Sequence, residues 1–152
     1  MDGYTRKVNT FLFFKLPSAW WCGVRLRELT DQYAVTAVRY RWMNQNPFRS
    51  MFWAVQGMAA ELATGALVSR EIRKSGRGVS MLVLKNKAHF TKKARGRIRF
   101  RCEDGARLRE TLEKVLDTDK GATIWMTAIG RDEAGDVVSE FHFEWTLKAR
   151  NL

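Results

Sequence analysis

Apolar residues dominate one long segment of this chain, and polar alternation dominates the rest. From Asn46 to Val68 the sequence reads NPFRSMFWAVQGMAAELATGALV, and between Ser50 and Val68 the only charged side chain is Glu61. Asn46-Pro47 keeps the entering backbone extended and Ser50 is a favourable N-cap, which predicts a helix beginning near Ser50. A helix that is apolar all round is buried on several sides. Ala54, Gly57, Glu61, Thr64, Gly65 and Val68 recur at three- and four-residue steps and so share a narrow face, where the glycines admit close approach of a sheet or a ligand.

Other elements follow from the same patterns. In residues 4–16, Val8, Phe11, Leu12 and Leu16 form a helical stripe that Pro17 ends, predicting a short helix over one end of the domain. Residues 23–29 and 33–43 alternate as two strands joined at Thr30-Asp31-Gln32, a turn-prone stretch. Residues 69–80, SREIRKSGRGVS, read as an exposed basic connection. A strand follows over 79–90, with Met81, Val83 and Lys85 on one face and Leu82, Leu84 and Ala88 on the other. Residues 96–102 place Ile98, Phe100 and Cys102 inward and Arg97, Arg99 and Arg101 outward, as expected of a half-buried antiparallel strand. An amphipathic helix over 106–116 and a hairpin of 122–130 with 137–147 complete the chain; in the last strand Phe141, Phe143 and Trp145 face the core and Glu140, His142 and Glu144 face solvent. Without repeated βα units, the order favours an α+β fold, a curved antiparallel sheet wrapped around one long helix.

Composition refines this picture modestly. A chain of 152 residues with 45% hydrophobic content suits one domain over 1–152. The excess of 27 Lys and Arg over 16 Asp and Glu gives +11, a field that attracts anions without specifying a fold. Cys22 and Cys102 have no metal-ligand spacing, so no metal is expected and both are read as reduced thiols. The apolar runs before Pro17 are too short for a signal peptide or a membrane span, which predicts a cytoplasmic protein.

Glu61 is the leading functional candidate, because an ionised carboxylate in apolar surroundings is costly unless paired, and burial raises its pKa. It either pairs with an arginine or backbone donor, or it does chemistry. His89 and His142 have no Ser or Cys at triad-like spacing.

On Asn46 through Gly65 the chain resembles the hotdog-fold thioesterase superfamily, in a thioesterase-like branch of unknown function related to phenylacetic-acid-degradation-type enzymes. In those enzymes an Asn precedes a His-Gly-Gly by six residues and an acid follows that His by nine; here Asn46 precedes Phe52-Trp53-Ala54 by six and Glu61 follows Phe52 by nine. The Asn and the acid match, whereas Phe52 replaces the His and Trp53 and Ala54 replace the glycines. The resemblance implies hydrolysis of an acyl thioester, with Glu61 activating water or attacking the carbonyl, assisted by Asn46 and Gln56. Phe52, Trp53 and Gly57 would line the oxyanion or substrate position, the Phe52 amide serving as donor. Asn46 and Gln56 have an equal claim as capping or core hydrogen-bonding residues. Arg49, Lys92, Lys93 and Arg95 would hold the phosphates of coenzyme A, which enters as part of the substrate and not as a separate cofactor. The resemblance further implies a homodimer or homotetramer with sites between subunits. Two other functions stay open: a non-catalytic acyl-CoA or hydrophobic-ligand binding module of the same fold and, ranked last, nucleic-acid binding through the Arg97, Arg99 and Arg101 face.

Overall fold

The computed structural model describes residues 3–150. Two helices open the chain, α1 (Gly3–Lys15) and α2 (Pro17–Trp21). Pro17 does end α1, but its fixed φ and missing amide suit the first turn of a helix, so it also starts the next one. Strands β1 (Arg25–Leu29) and β2 (Ala34–Arg39) follow, then a 3-10 turn at Trp42–Asn44 where a continued strand was expected. The long helix α3 spans Trp53–Ser75, ahead of β3 (Val79–Phe90), β4 (Arg97–Cys102), α4 (Gly105–Thr118), β5 (Ala122–Arg131) and β6 (Val137–Ala149).

All strand pairs are antiparallel, in the order β1-β2-β4-β5-β6-β3. The sheet curves around α3, and the core lies between them. Leu67, Ala59, Ala60 and Ala63 of α3 meet Ile98, Phe100, Met126 and Phe141 of the sheet, all essentially without solvent contact. Burying a side chain such as Leu67 contributes about 1.5–3 kcal/mol. The small residues of α3 set the distance: a Cβ at Gly57 would lie 3.4 Å from the Phe141 ring, and one at Gly65 would lie 3.3 Å from the Trp145 ring. Thr36 Oγ1 of β2 donates to the Ala59 carbonyl at 2.6 Å, fixing the helix along the sheet.

Three further sequence expectations need correction. The helix does not begin at Ser50, whose amide and hydroxyl both donate to Asn46 Oδ1; Phe52 occupies the cap position. Nor does the helix stop at Val68. Its last turns are charged because they lie among ion pairs, and it ends at Gly76, whose φ of 66° is the left-handed conformation that glycine adopts without strain. In β3, a register shift between Val83 and Lys85 resets the alternation, so Met81 and Val83 pair with the inward Leu147 and Trp145 while Lys85 pairs with the outward Glu144. Among the described residues no helix is long and apolar enough to cross a membrane.

Candidate functional site

A cavity of about 400 Å³ lies between α1 and one face of α3. Met58, Glu61, Leu62, Gly65, Ser69 and Arg73 line it from α3, at the three- and four-residue steps that put side chains on one stripe. Tyr4, Lys7, Val8, Phe11 and Leu12 line it from α1, Leu16 and Ala19 close one end, and Met81 and Trp145 form the floor. Trp145 is fixed there: its indole Nε1 donates to Thr64 Oγ1 at 3.0 Å, and Thr64 Oγ1 donates to the Glu61 carbonyl at 2.9 Å. The absent side chain at Gly65 makes room for its ring.

Glu61 is the notable group in this cavity. Among the described residues its carboxylate has neither a hydrogen-bond nor an ion-pair partner. Solvent reaches it through the cavity mouth, yet the surrounding protein displaces much of its hydration and holds its pKa above the ordinary carboxylate range. A group poised in this way can accept a proton from water more readily than a surface glutamate can.

Other residues singled out by the sequence lie elsewhere. Asn46 Oδ1 accepts from the Phe48 amide at 2.9 Å and the Ser50 amide at 3.3 Å, and its Nδ2 donates to Ser50 Oγ at 3.1 Å, so the side chain organises the loop before α3. Gln56 is buried, accepting from Ser139 Oγ at 2.7 Å and donating to the Met51 carbonyl at 3.3 Å; it ties α3 to β6. The Phe52 amide donates to the Asn44 carbonyl at 2.9 Å and is therefore occupied. Phe52 and Trp53 project from the fold as an edge-on aromatic pair, and Gly57 faces Phe141. Arg49, Lys93 and Arg95 gather at the loop before α3, where Arg95 Nε donates to the Arg49 carbonyl at 3.0 Å and Lys93 Nζ reaches the Phe48 carbonyl at 3.5 Å. Lys92 is separate from them, bridging Asp132 at 2.6 Å and Asp136 at 2.8 Å. Of the ten predicted site residues, Glu61 alone lines the cavity.

Sequence reasoning missed Lys7, Ser69 and Arg73, which also line it. The step through Glu61 and Gly65 continues to Ser69 and Arg73, a signal hidden once the helix was ended at Val68. It also missed a contact on the outer face of the sheet, where pairing of Thr127 with His142 puts Thr127 Oγ1 2.8 Å from His142 Nδ1, and Glu140 Oε1 lies 2.9 Å from His142 Nε2. Because side chains alternate along β6, this relay faces away from the cavity. The outward arginines there are largely neutralised: Arg99 pairs with Glu28 at 2.9 Å, and Arg101 pairs with Glu103 at 2.7 Å while stacking over Tyr33. Among the described residues no group of three or more His, Cys, Asp or Glu could hold a metal ion.

Known structures share this fold. A Pseudomonas aeruginosa protein of unknown function described as a probable thioesterase is 23% identical, with a TM-score of 0.79 over 95% of this chain and 96% of that one. A Chlorobaculum tepidum protein of unknown function is 15% identical, with a TM-score of 0.82 over 97% of this chain and 95% of that one. A mutant thioesterase from Pseudomonas aeruginosa is 10% identical, with a TM-score of 0.73 over 96% of this chain and 94% of that one. At these identities the likeness establishes the hotdog fold and nothing finer. No curated protein matches the sequence. The profile of one family covers residues 5–147, and the chain belongs to that family, DUF4442, a domain of unknown function.

Proposed function

We propose that the chain hydrolyses acyl thioesters, acyl-CoA being the reference substrate, with Glu61 as the catalytic carboxylate and the cavity as its substrate pocket. The observation that carries this reading is the unpartnered Glu61 carboxylate on the wall of an otherwise largely apolar pocket. Glu61 takes a proton from water, the resulting hydroxide attacks the thioester carbonyl carbon, and collapse of the tetrahedral intermediate breaks the C–S bond. The proton then passes to the departing thiolate, leaving a carboxylic acid and a thiol.

With the Phe52 amide engaged, the first-turn amides of Trp53 and Ala54 are the helix donors left for an oxyanion. Glu61 follows Trp53 by eight residues, about 12 Å along the helix, too far for one carbonyl to touch both. A second copy of the chain supplying the helix start would complete the site, so the reading includes a homodimer. Edge strand β3, with Leu82 and Leu84 exposed, suits that pairing.

Steady-state assay against a panel of acyl-CoA esters tests the proposal, with turnover expected in the wild type and loss of it in Glu61→Gln. A wild type that binds the esters without hydrolysing them rejects it. That result would favour the binding-module reading, which the occupied Phe52 amide and the bulk of Trp53 support.

A further inference from the structure

The cavity carries opposite charges at separate places. Glu61 and Arg73 line it from α3 and Lys7 lines it from α1. Glu61 and Arg73 are twelve residues apart on one helix, about 18 Å, so they cannot neutralise each other by direct contact. Leu62, Gly65 and Ala66 line the stretch between them from α3. The start of α1 lies beside the last turns of α3, where the Arg73 guanidinium sits 5.1 Å from the Tyr4 ring.

Neither cation has an acidic partner among the described residues, although neighbouring cations do: Arg70 and Lys74 both reach Asp31 at 3.0 Å. Arg73 complements the C-terminal end of the α3 dipole, a role Lys74 shares in the same turn. Lys7 lies toward the N-terminal end of α1 and gains nothing from that helix's dipole. The cavity therefore offers a proton acceptor at one place, an uncharged trough, and a guanidinium with an ammonium at the other. A ligand matching it has an electrophilic carbonyl separated from an anion by an extended, uncharged linker. Thioesters of the phosphopantetheine arm have that form.

We propose that Lys7 and Arg73 hold the phosphate of a phosphopantetheine arm, so that the thiol carrier lies along α3 with its thioester at Glu61. This rests on the acyl-thioester reading, and it moves the phosphate contact away from Arg49, Lys93 and Arg95, whose loop does not line the cavity. A guanidinium takes two phosphate oxygens through its planar fork, and the ammonium adds a point charge beside it.

Calorimetric titration with S-octyl thioethers, which cannot be hydrolysed, separates binding from turnover. The probes are S-octyl-coenzyme A, S-octyl-4′-phosphopantetheine and S-octyl-pantetheine, the last without phosphate. The wild type should bind both phosphate-bearing probes more tightly than S-octyl-pantetheine, by about ten- to a hundredfold. Lys7→Gln combined with Arg73→Gln should erase that preference, and Arg73→Lys should retain part of it. Equal affinity for the two phosphate-bearing probes assigns the site to the arm of a carrier protein, and tighter binding of the coenzyme A probe assigns it to the nucleotide carrier; either supports the site. Equal wild-type affinity for all three probes overturns it, as does a preference that survives the double substitution but disappears in Lys93→Gln with Arg95→Gln. Absence of hydrolysis with the phosphate preference intact would reject the enzyme reading and leave the subsite standing.

Discussion

Two glutamates on α3, ten residues apart, meet opposite treatment. Glu71 is almost fully buried where α3, α4 and the β1–β2 turn converge, and the fold surrounds it with cations: Lys74 Nζ lies 3.5 Å from one oxygen and Arg109 Nε 3.6 Å from the other. Asp31, taking Arg70 and Lys74 at 3.0 Å each, extends the network. Glu61 is open to solvent and loses only part of its hydration to the surrounding protein, and among the described residues no cation pairs with it. Glu71, which is packed inside the fold, is given counter-charge; Glu61, which stands over the cavity beneath α1, is given none among the described residues. The contrast marks Glu61 as the carboxylate to test first.

The largest expected effect tests the unpartnered member. Glu61→Gln keeps size and polarity and removes the base, so thioester turnover should fall by about two to four orders of magnitude. Rates that stay within a fewfold of wild type would remove Glu61 from the mechanism. Next comes Glu71→Gln, which leaves Lys74 and Arg109 facing a neutral group. Both cations are partly exposed, so the cost should be about 1–2 kcal/mol, below that of a fully buried pair, and thermal denaturation should show a Tm lower by a few degrees.

Stability against pH gives a smaller effect of opposite sign. Because the folded state raises the pKa of Glu61, it keeps the proton over a window in which the unfolded chain has already released it. Stability is therefore lost as pH rises from the ordinary carboxylate range through the raised value. Glu61→Gln, which cannot ionise, should melt slightly above wild type at neutral pH, with the difference closing under acid; a lower neutral-pH Tm would reveal a hidden structural partner. The gentlest test gives Glu61 what Glu71 has. Met58→Lys places a cation one helical turn away on the cavity wall, and the acid limb of the pH–rate profile should move to lower pH. An unmoved limb would assign that ionisation to another group.

Local patterning made much of the fold legible. Strand β3 has the predicted bounds, and β4, α4, β5 and β6 lie within a few residues of theirs, because alternation and amphipathic stripes are local signals. Errors arose where side chains make non-local bonds. Ser50 has the chemistry of a helix cap but is claimed by Asn46, and residues 69–75 have the composition of a loop but are helical because Asp31 and Arg109 come to meet them. Glu61 was visible in the sequence as a lone charge in an apolar run. Lys7 and Arg73 were not, since only the packing of α1 against α3 brings them to one cavity. His142 acquires Thr127 through strand pairing, which no spacing within β6 encodes.

The two borders of the sheet differ in what they permit. Along β1, Asn9 of α1 imitates a neighbouring strand: its Nδ2 donates to the Leu26 carbonyl and its Oδ1 accepts from the Leu26 amide, each at 2.9 Å. At the far side, β3 offers twelve residues and, among the described residues, no strand lies beyond them. A sheet with two free borders can add copies without limit and grow into a fibre. With Asn9 as a plug on one border, the dimer proposed through β3 would leave no further border for strand addition. Asn9→Ala would unplug that border, and in a protein that pairs through β3 the expected outcome is a shift from closed to growing assemblies, which sedimentation would show.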